Sequence, residues 1–297
     1  MANSILSRYI DPDVLKHLAQ FPFEPKNLVI GNLAGAHKSP LAGFAVEFAG
    51  HREYVVGDDP KHLDWRVFFT RDKYFVKQYE LETNFVCHLL LDVSASMRYG
   101  DGNQQKLLYG AQLATSLGYS IVRQSDKVSF STFDSAIRGF LPPSNSMDQI
   151  VRMTRHLDEA EPVEKTDISD CLEEFSSRTG RREIVLIFSD FFCDLEQLEN
   201  AVQRMRYNKH EVVLFHVLHN DEREFRFEGM VKFVGLEISE ELLTQPDDLR
   251  EGYMEALQSF NRSLQDITQR NGCELVTVDT SRSLKDTFVD YLSRRVH

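Results

Sequence analysis

The pattern of hydrophobic and polar positions changes near residue 84. Residues 28–82 contain short runs in which apolar and polar side chains alternate between turn-forming residues, and this predicts a small β-rich module. From Phe85 onward, apolar runs of strand length alternate with stretches of helical periodicity, which predicts a mostly parallel sheet covered by helices on both faces. The pattern therefore predicts two domains, residues 1–83 and 84–297, and an α/β fold for the second.

A short helix is predicted ahead of the β-rich module. Asp11 can cap its amino terminus, and Pro12 fits its first turn. Val14, Leu15 and Leu18 recur at helical spacing and form its apolar stripe. We place this helix in the N-terminal domain.

Four strongly apolar runs in the second domain predict central strands of the sheet. They are VCHLLLD from residue 86, EIVLIFSD from 183, EVVLFHVL from 211 and CELVTVD from 273. Two more strands are predicted over 128–133 and 137–141, with Pro142-Pro143 ending the second. Helices are predicted at about 106–124, from Ser146 with Gln149 completing a capping box, after Thr166, at about 195–205, over 249–270 and over 284–294.

Oxygen-bearing side chains follow two of these central strands. Asp92 ends the first, Ser94 and Ser96 follow it at alternate positions, and Asp190 ends the run that begins at residue 183. Loops beyond the carboxyl ends of strands converge on one crevice in open α/β sheets. Carboxylate and hydroxyl oxygens suit Mg²⁺ or Mn²⁺ better than a soft metal. The sequence therefore predicts a divalent-cation site at this edge of the sheet.

The same residues resemble the metal-ion-dependent adhesion site of von Willebrand factor A domains. That site combines a DxSxS loop, as at Asp92, Ser94 and Ser96, with a later threonine, here Thr166, and an aspartate after the next central strand, here Asp190. The resemblance implies a Rossmann-like von Willebrand factor A fold. It also implies that these five residues hold the metal ion and that an acidic residue of a protein partner completes the shell.

The upstream segment over residues 35–82 resembles the hallmark segment of the bacterial domain of unknown function 58 family. Members of that family join this segment to an A-like domain and are commonly associated with MoxR-type AAA ATPases in chaperone-like or assembly roles. The resemblance implies a non-enzymatic, metal-dependent protein-binding adaptor that acts with such an ATPase.

A second interpretation remains open, a Mg²⁺-dependent phosphohydrolase in which Asp92 is the nucleophile. An aspartate at the end of a first strand can serve that purpose in α/β folds. Such enzymes place a second acidic residue two positions later, where this chain has Ser94. That difference favours the adaptor.

Charged residues of the hallmark segment are Arg52, Asp58, Asp59, Asp64, Arg66, Arg71 and Lys77. A catalytic interpretation would use His62 as a base. We instead expect partly buried ion pairs that fix the small module against the A-like domain, with Trp65 as an anchor. On this hypothesis Arg66→Ala lowers stability.

Composition limits the possible partners. The chain has 46 acidic and 34 basic residues, a net charge of -12, which opposes binding to nucleic acid or acidic lipid. The basic pairs Arg181-Arg182 and Arg294-Arg295 are expected on solvated faces or helix ends. The four cysteines lack CxxC spacing, and neither a secretory signal nor a membrane-length apolar segment is evident. We expect reduced thiols and a soluble cytoplasmic protein.

Overall fold

The structure is a computed structural model that describes residues 2–26, 37–38, 47–56, 58, 60–71, 73–80, 82–159, 168–236 and 240–295. Contacts divide the chain into two compact units. The larger comprises Met1–Lys26 with Val86–His297, and the smaller is Asn27–Phe85. The first 26 residues thus belong to the larger unit, whereas the sequence pattern placed them in the N-terminal domain 1–83.

Two helices begin the chain, α1 (Ala2–Tyr9) and α2 (Pro12–Leu18). The Asp11 carboxylate accepts a 2.8 Å hydrogen bond from the backbone N–H of Asp13, which is the predicted cap of α2. Val14 and Leu18 are buried in the larger unit. Local periodicity predicts such an apolar stripe but does not identify the surface that covers it.

The smaller unit contains short antiparallel strand pairs and one helix. Its elements are β1 (His37–Lys38), β2 (Glu47–Glu53), α3 (Trp65–Arg71), β3 (Phe75–Glu80) and β4 (Glu82–Thr83). Strand β2 pairs with β3, and β1 pairs with β4.

A six-stranded sheet forms the centre of the larger unit. Its strands are β5 (Val86–Asp92), β6 (Lys127–Phe133), β7 (Ile137–Ser144), β8 (Ile184–Ser189), β9 (Glu211–Leu218) and β12 (Glu274–Asp279), and a separate hairpin consists of β10 (Val231–Val234) and β11 (Glu241–Thr244). The order across the sheet is β12-β9-β8-β5-β6-β7, and only β7 is antiparallel to its neighbour. In this doubly wound order the chain runs from β5 toward β6 on one side and from β8 toward β9 on the other. The topological switch point therefore lies between β5 and β8, and ligand crevices form at such points in open α/β sheets.

Helices cover both faces of the sheet. They are α4 (Lys106–Arg123), α5 (Asp148–Glu159), α6 (Ile168–Arg178), α7 (Leu195–Tyr207), α8 (Asn220–Glu224), α9 (Pro246–Arg270) and α10 (Leu284–Ser293). Helix α4 contacts α1, α5 and α10 on one face, and α6 and α7 pack together on the other over Val185, Ile187 and Leu214. The predicted mostly parallel α/β sheet covered by helices on both faces is thus confirmed.

The predicted end of the strand over 137–141 is wrong, because β7 continues through Pro142 and Pro143 to Ser144. Strand β7 lies at the sheet edge, where a proline without an N–H removes no essential ladder bond. Only half of the predicted capping box of α5 forms, since the Ser146 hydroxyl accepts a 3.2 Å hydrogen bond from the N–H of Asp148 but Gln149 does not reach back. The Gln149 side chain is buried and donates to the backbone oxygens of Val128 and Pro142, at 3.0 and 2.9 Å.

Two further expectations are corrected by the tertiary structure. The run from residue 273 forms β12, an edge strand and not a central one. The pair Arg294-Arg295 lies directly after α10, as expected of a basic pair at a helix end, and Arg294 is exposed, but the Arg295 side chain is 0% exposed. Arg295 donates to the backbone oxygen of Glu24 and pairs with Glu211, so it ties the N-terminal segment to the sheet. Its polarity alone gave no indication of this burial.

Candidate metal centre

Asp92 lies at the carboxyl end of β5 and is 1% exposed. One of its oxygens, Oδ1, accepts a 2.9 Å hydrogen bond from the backbone N–H of Ser94, so the chain turns directly after the strand. The other, Oδ2, accepts a 2.6 Å hydrogen bond from the Ser189 hydroxyl on the neighbouring strand β8. These two hydrogen bonds fix the carboxylate at the switch point between β5 and β8.

The two serines of the loop lie close together. Ser94 is buried and Ser96 is half-buried, and their hydroxyl oxygens are 3.1 Å apart. Ser96 begins a short 3-10 turn, Ser96–Arg98, that holds the loop over the end of β5. The structure therefore brings together three of the predicted ligands, Asp92, Ser94 and Ser96, on one loop.

Asp190 follows β8 directly and is buried. Strands β5 and β8 are parallel neighbours with Leu91 opposite Phe188, so the chain reaches Asp190 at the same edge as Asp92. Thr166, the fifth predicted ligand, lies outside the described residues.

The electrostatics of this edge fit a divalent cation. Burial and then the charge of Asp190 raise the pKa of Asp92 to about 7, although hydrogen bonds from Ser189 and Ser94 act in the opposite direction. Two carboxylates and two hydroxyls are hard oxygen donors of the kind that Mg²⁺ and Mn²⁺ prefer. Within the described ranges, no three His, Cys, Asp or Glu side chains cluster so as to hold a metal ion by themselves. The predicted shell therefore depends on its hydroxyl donors.

Sequence reasoning did not identify Lys106, the first residue of α4. Its ammonium is 0% exposed and lies 2.8 Å from Asp190 Oδ2 and 2.6 Å from Glu222 Oε1. Burial lowers the pKa of Lys106, but the two carboxylates outweigh it and the net shift is upward. A lysine at the start of a helix is ordinarily solvated, so only the tertiary structure identifies this one as part of the site.

A cavity of about 230 Å³ lies beside the DxSxS loop, with Val93 in its wall. Arg8, Arg98 and Asp158 also line it, and Arg8 pairs with Asp158 at 3.1 Å. The Nε of Arg98 is buried and has no hydrogen-bond partner in the part of the chain that the structure describes. An arginine with an unused donor thus lies two residues after Ser96.

In the smaller unit, some hallmark charges are paired but the expected anchor is not buried. Arg52 forms an ion pair with Asp58, and Nε2 of His51 lies 2.8 Å from Oδ2 of Asp64. Trp65 is 54% exposed and contacts the Phe68 ring edge to face within the same unit, and its role as an anchor against the A-like domain stays a prediction.

Other hallmark expectations have less support or fall outside the described residues. Arg66 is exposed, and the loss of stability on Arg66→Ala stays a prediction. The side chains of His62, Arg71 and Lys77, and Asp59 as a whole, lie outside what the structure describes.

The strand order and the oxygen-bearing loop define a von Willebrand factor A-like α/β domain. The family model described as "Protein of unknown function DUF58" matches residues 50–262, and the chain belongs to this family. A comparison with curated proteins finds no match. The resemblance predicted from the hallmark segment and the DxSxS loop is thus confirmed at the level of the family.

Several solved structures match the larger part of the chain. The conserved hypothetical protein BatB from Bacteroides thetaiotaomicron is 14% identical, with a TM-score of 0.48 over 72% of this chain and 99% of that chain. An aerotolerance-related membrane protein from Bacteroides fragilis NCTC 9343, with multiple mutations to serines, is 16% identical, with a TM-score of 0.47 over 71% and 100%. The SpRpn10 VWA domain is 14% identical, with a TM-score of 0.41 over 70% and 95%. In the part of the chain described here, no helix is both long and apolar enough to cross a membrane.

Proposed function

We propose that this chain is a non-enzymatic, metal-dependent protein-binding adaptor. Asp92, Ser94, Ser96, Thr166 and Asp190 hold Mg²⁺ or Mn²⁺, and an acidic side chain of a protein partner completes the shell. A MoxR-type AAA ATPase supplies the energy with which the pair assembles or remodels its client.

One observation carries the proposal. Two buried aspartates and two facing serine hydroxyls lie at the switch point between β5 and β8. The Lys106 ammonium pairs with Asp190, whereas the hydrogen bonds described for the buried Asp92 carboxylate come from neutral donors, the Ser189 hydroxyl and the Ser94 N–H, which supports a cation as the group that completes this edge. Serine hydroxyls add neutral oxygen donors, so the ion keeps charge with which to attract a partner's carboxylate.

The surface beside the loop supports an acidic partner. The Arg98 side chain, two residues beyond Ser96, lines the cavity that Arg8 also lines. Guanidinium groups bind carboxylates in a planar, often bidentate geometry. A partner segment with two acidic residues could therefore bind the ion with one and Arg98 with the other.

The test is a binding assay with the purified MoxR-type ATPase of the same organism. We expect capture by the full chain in 1 mM Mg²⁺ and a loss of about tenfold or more in EDTA, since the metal-bridged contact is removed. Ser96→Ala should weaken capture in Mg²⁺, because it deletes a half-buried donor without opening a large cavity. Ser293→Ala, at an exposed position in the last turn of α10, is the matched control.

Equal capture of the ATPase with and without EDTA would overturn the proposal, provided that circular dichroism and melting curves match for all variants. Mg²⁺-dependent turnover of phosphoesters that Asp92→Asn abolishes would favour the phosphohydrolase instead. The hydroxyl of Ser94, at the position where such enzymes carry an acid, argues against that outcome.

A further inference from the structure

Lys106 is a fully buried cation at the proposed metal site. Its ammonium contacts Asp190 Oδ2 at 2.8 Å and Glu222 Oε1 at 2.6 Å, and it lies 5.5 Å from the centre of the Phe192 ring. Removing an ammonium from water costs free energy unless carboxylates pair closely with it. Here Asp190 and Glu222 provide that pairing.

Each carboxylate is itself held by the backbone of a different segment. Asp190, after β8, accepts a 3.3 Å hydrogen bond from the N–H of Phe192 with its other oxygen. Glu222, in α8 after β9, accepts a 2.8 Å hydrogen bond from the N–H of His219 with its other oxygen. The ammonium therefore lies between two positioned acceptors, one of which is a predicted metal ligand and one of which is not.

We propose that Lys106 is a positioning residue that sets the affinity of the site for a divalent ion. The inference rests on the proposed metal site at Asp92 and Asp190. Lys106 neutralises Asp190 and places a positive charge beside the ion's position, so it weakens binding. Glu222 offsets this effect, because it draws part of the ammonium's charge toward α8 and adds a negative charge of its own.

This arrangement predicts opposite effects for the two partners of the pair. Lys106→Met removes the competing cation, so divalent affinity should rise by about tenfold, the effect of one nearby charge in a partly buried site. Glu222→Gln leaves Asp190 as the lysine's remaining charged partner, so divalent affinity should fall by a few-fold to about tenfold. A purely structural role for the pair would not give changes of opposite sign.

The matched controls come from the β10–β11 hairpin. Lys232 and Glu241 form an exposed 2.7 Å ion pair there, with side chains 52% and 59% exposed. Lys232→Met and Glu241→Gln repeat the same chemical changes at an ion pair of the surface hairpin. We expect both to bind the ion as the wild type does.

The experiment is a Mn²⁺ titration of the full chain at constant ionic strength, in which electron paramagnetic resonance measures free Mn²⁺. Tighter binding by Lys106→Met and weaker binding by Glu222→Gln would support the inference. Affinities of both variants within twofold of wild type, or a shift of the same sign, would overturn it. If Lys106→Met does not fold, the Mn²⁺ affinity of Glu222→Gln tests the inference by itself. Weaker binding by that variant supports the inference, and unchanged or tighter binding overturns it.

Failure of this inference differs from failure of the proposed function. A wild-type chain that binds no Mn²⁺ or Mg²⁺ overturns both. Metal binding that neither Lys106 nor Glu222 influences overturns only the role of the lysine. The predicted shifts without Mg²⁺-dependent capture of the ATPase support the lysine's role and overturn the adaptor.

Discussion

The hydroxyl of Ser189 donates a 2.6 Å hydrogen bond to Oδ2 of Asp92 across the boundary between strands β8 and β5. Both residues are buried, and Ser189 Oγ in turn accepts a 2.9 Å hydrogen bond from the N–H of Phe191. This hydrogen bond joins the carboxyl ends of β8 and β5, the two strands on either side of the switch point. It also holds the carboxylate of the DxSxS loop in place.

Ser189→Ala should therefore destabilise the protein. The substitution leaves a buried carboxylate oxygen and a buried N–H without their partner, which costs about 1–3 kcal/mol of the free energy of unfolding. Urea denaturation followed by circular dichroism measures the change. Ser293→Ala, at an exposed helix end, is the control, and an equal midpoint for the two variants would contradict the prediction.

Arg295→Met should cost about 3–5 kcal/mol, because it removes the buried guanidinium that pairs with the buried Glu211 carboxylate. The substitution also removes the bonds to the Glu24 oxygen and the contact of the guanidinium with the Phe23 ring, 4.3 Å away. Thermal and urea denaturation provide the measurement. Arg294→Met makes the same change at an exposed neighbour, and it should stay within about 0.5 kcal/mol of wild type.

His210, at the opposite end of the sheet from Asp92, should contribute a loss of stability on acidification, which the raised pKa of Asp92 opposes. Burial lowers the pKa of His210, while the Glu183 charge raises it and the His88 and Arg206 charges lower it. The folded state therefore binds fewer protons than the unfolded state below the ordinary value of 6.5, so stability is complete above that pH and declines as the pH falls through the folded pKa.

The measurement is the urea midpoint at several pH values between 7.5 and about 5, for wild type and His210→Asn. Asparagine keeps an oxygen that can accept the 3.2 Å hydrogen bond that Glu183 N–H donates to His210. We expect a shallower decline in the variant. A decline of the same steepness would assign the acid sensitivity to other groups.

Mg²⁺ should stabilise the wild type against unfolding. An ion present at tenfold its dissociation constant adds about 1.4 kcal/mol, since only the folded state brings the ligands together. Ser96→Ala should lose most of this gain and Ser293→Ala should keep it. Melting curves in Mg²⁺ and in EDTA measure it, and identical curves for the wild type in both buffers would contradict the metal site.

The sequence by itself determined the α/β class, the positions of most strands and helices, and the placement of Asp92 and Asp190 at strand ends. These features depend on local patterns. A largely apolar run such as VCHLLLD encodes burial on both faces of a strand. A parallel sheet then requires that the loops after its strands meet at one edge, so the residues that follow such runs are candidates from sequence alone.

Only the tertiary structure decided which polar residues are buried and what pairs with them. Lys106 and Glu222 are 116 positions apart, and Arg295 is 84 positions from Glu211, so no local period relates them. The edge position of β12 and the continuation of β7 through Pro142 likewise depend on strand order. Periodicity reports how each segment is buried, whereas charge pairing and strand order are set by contacts between segments that are distant in the chain.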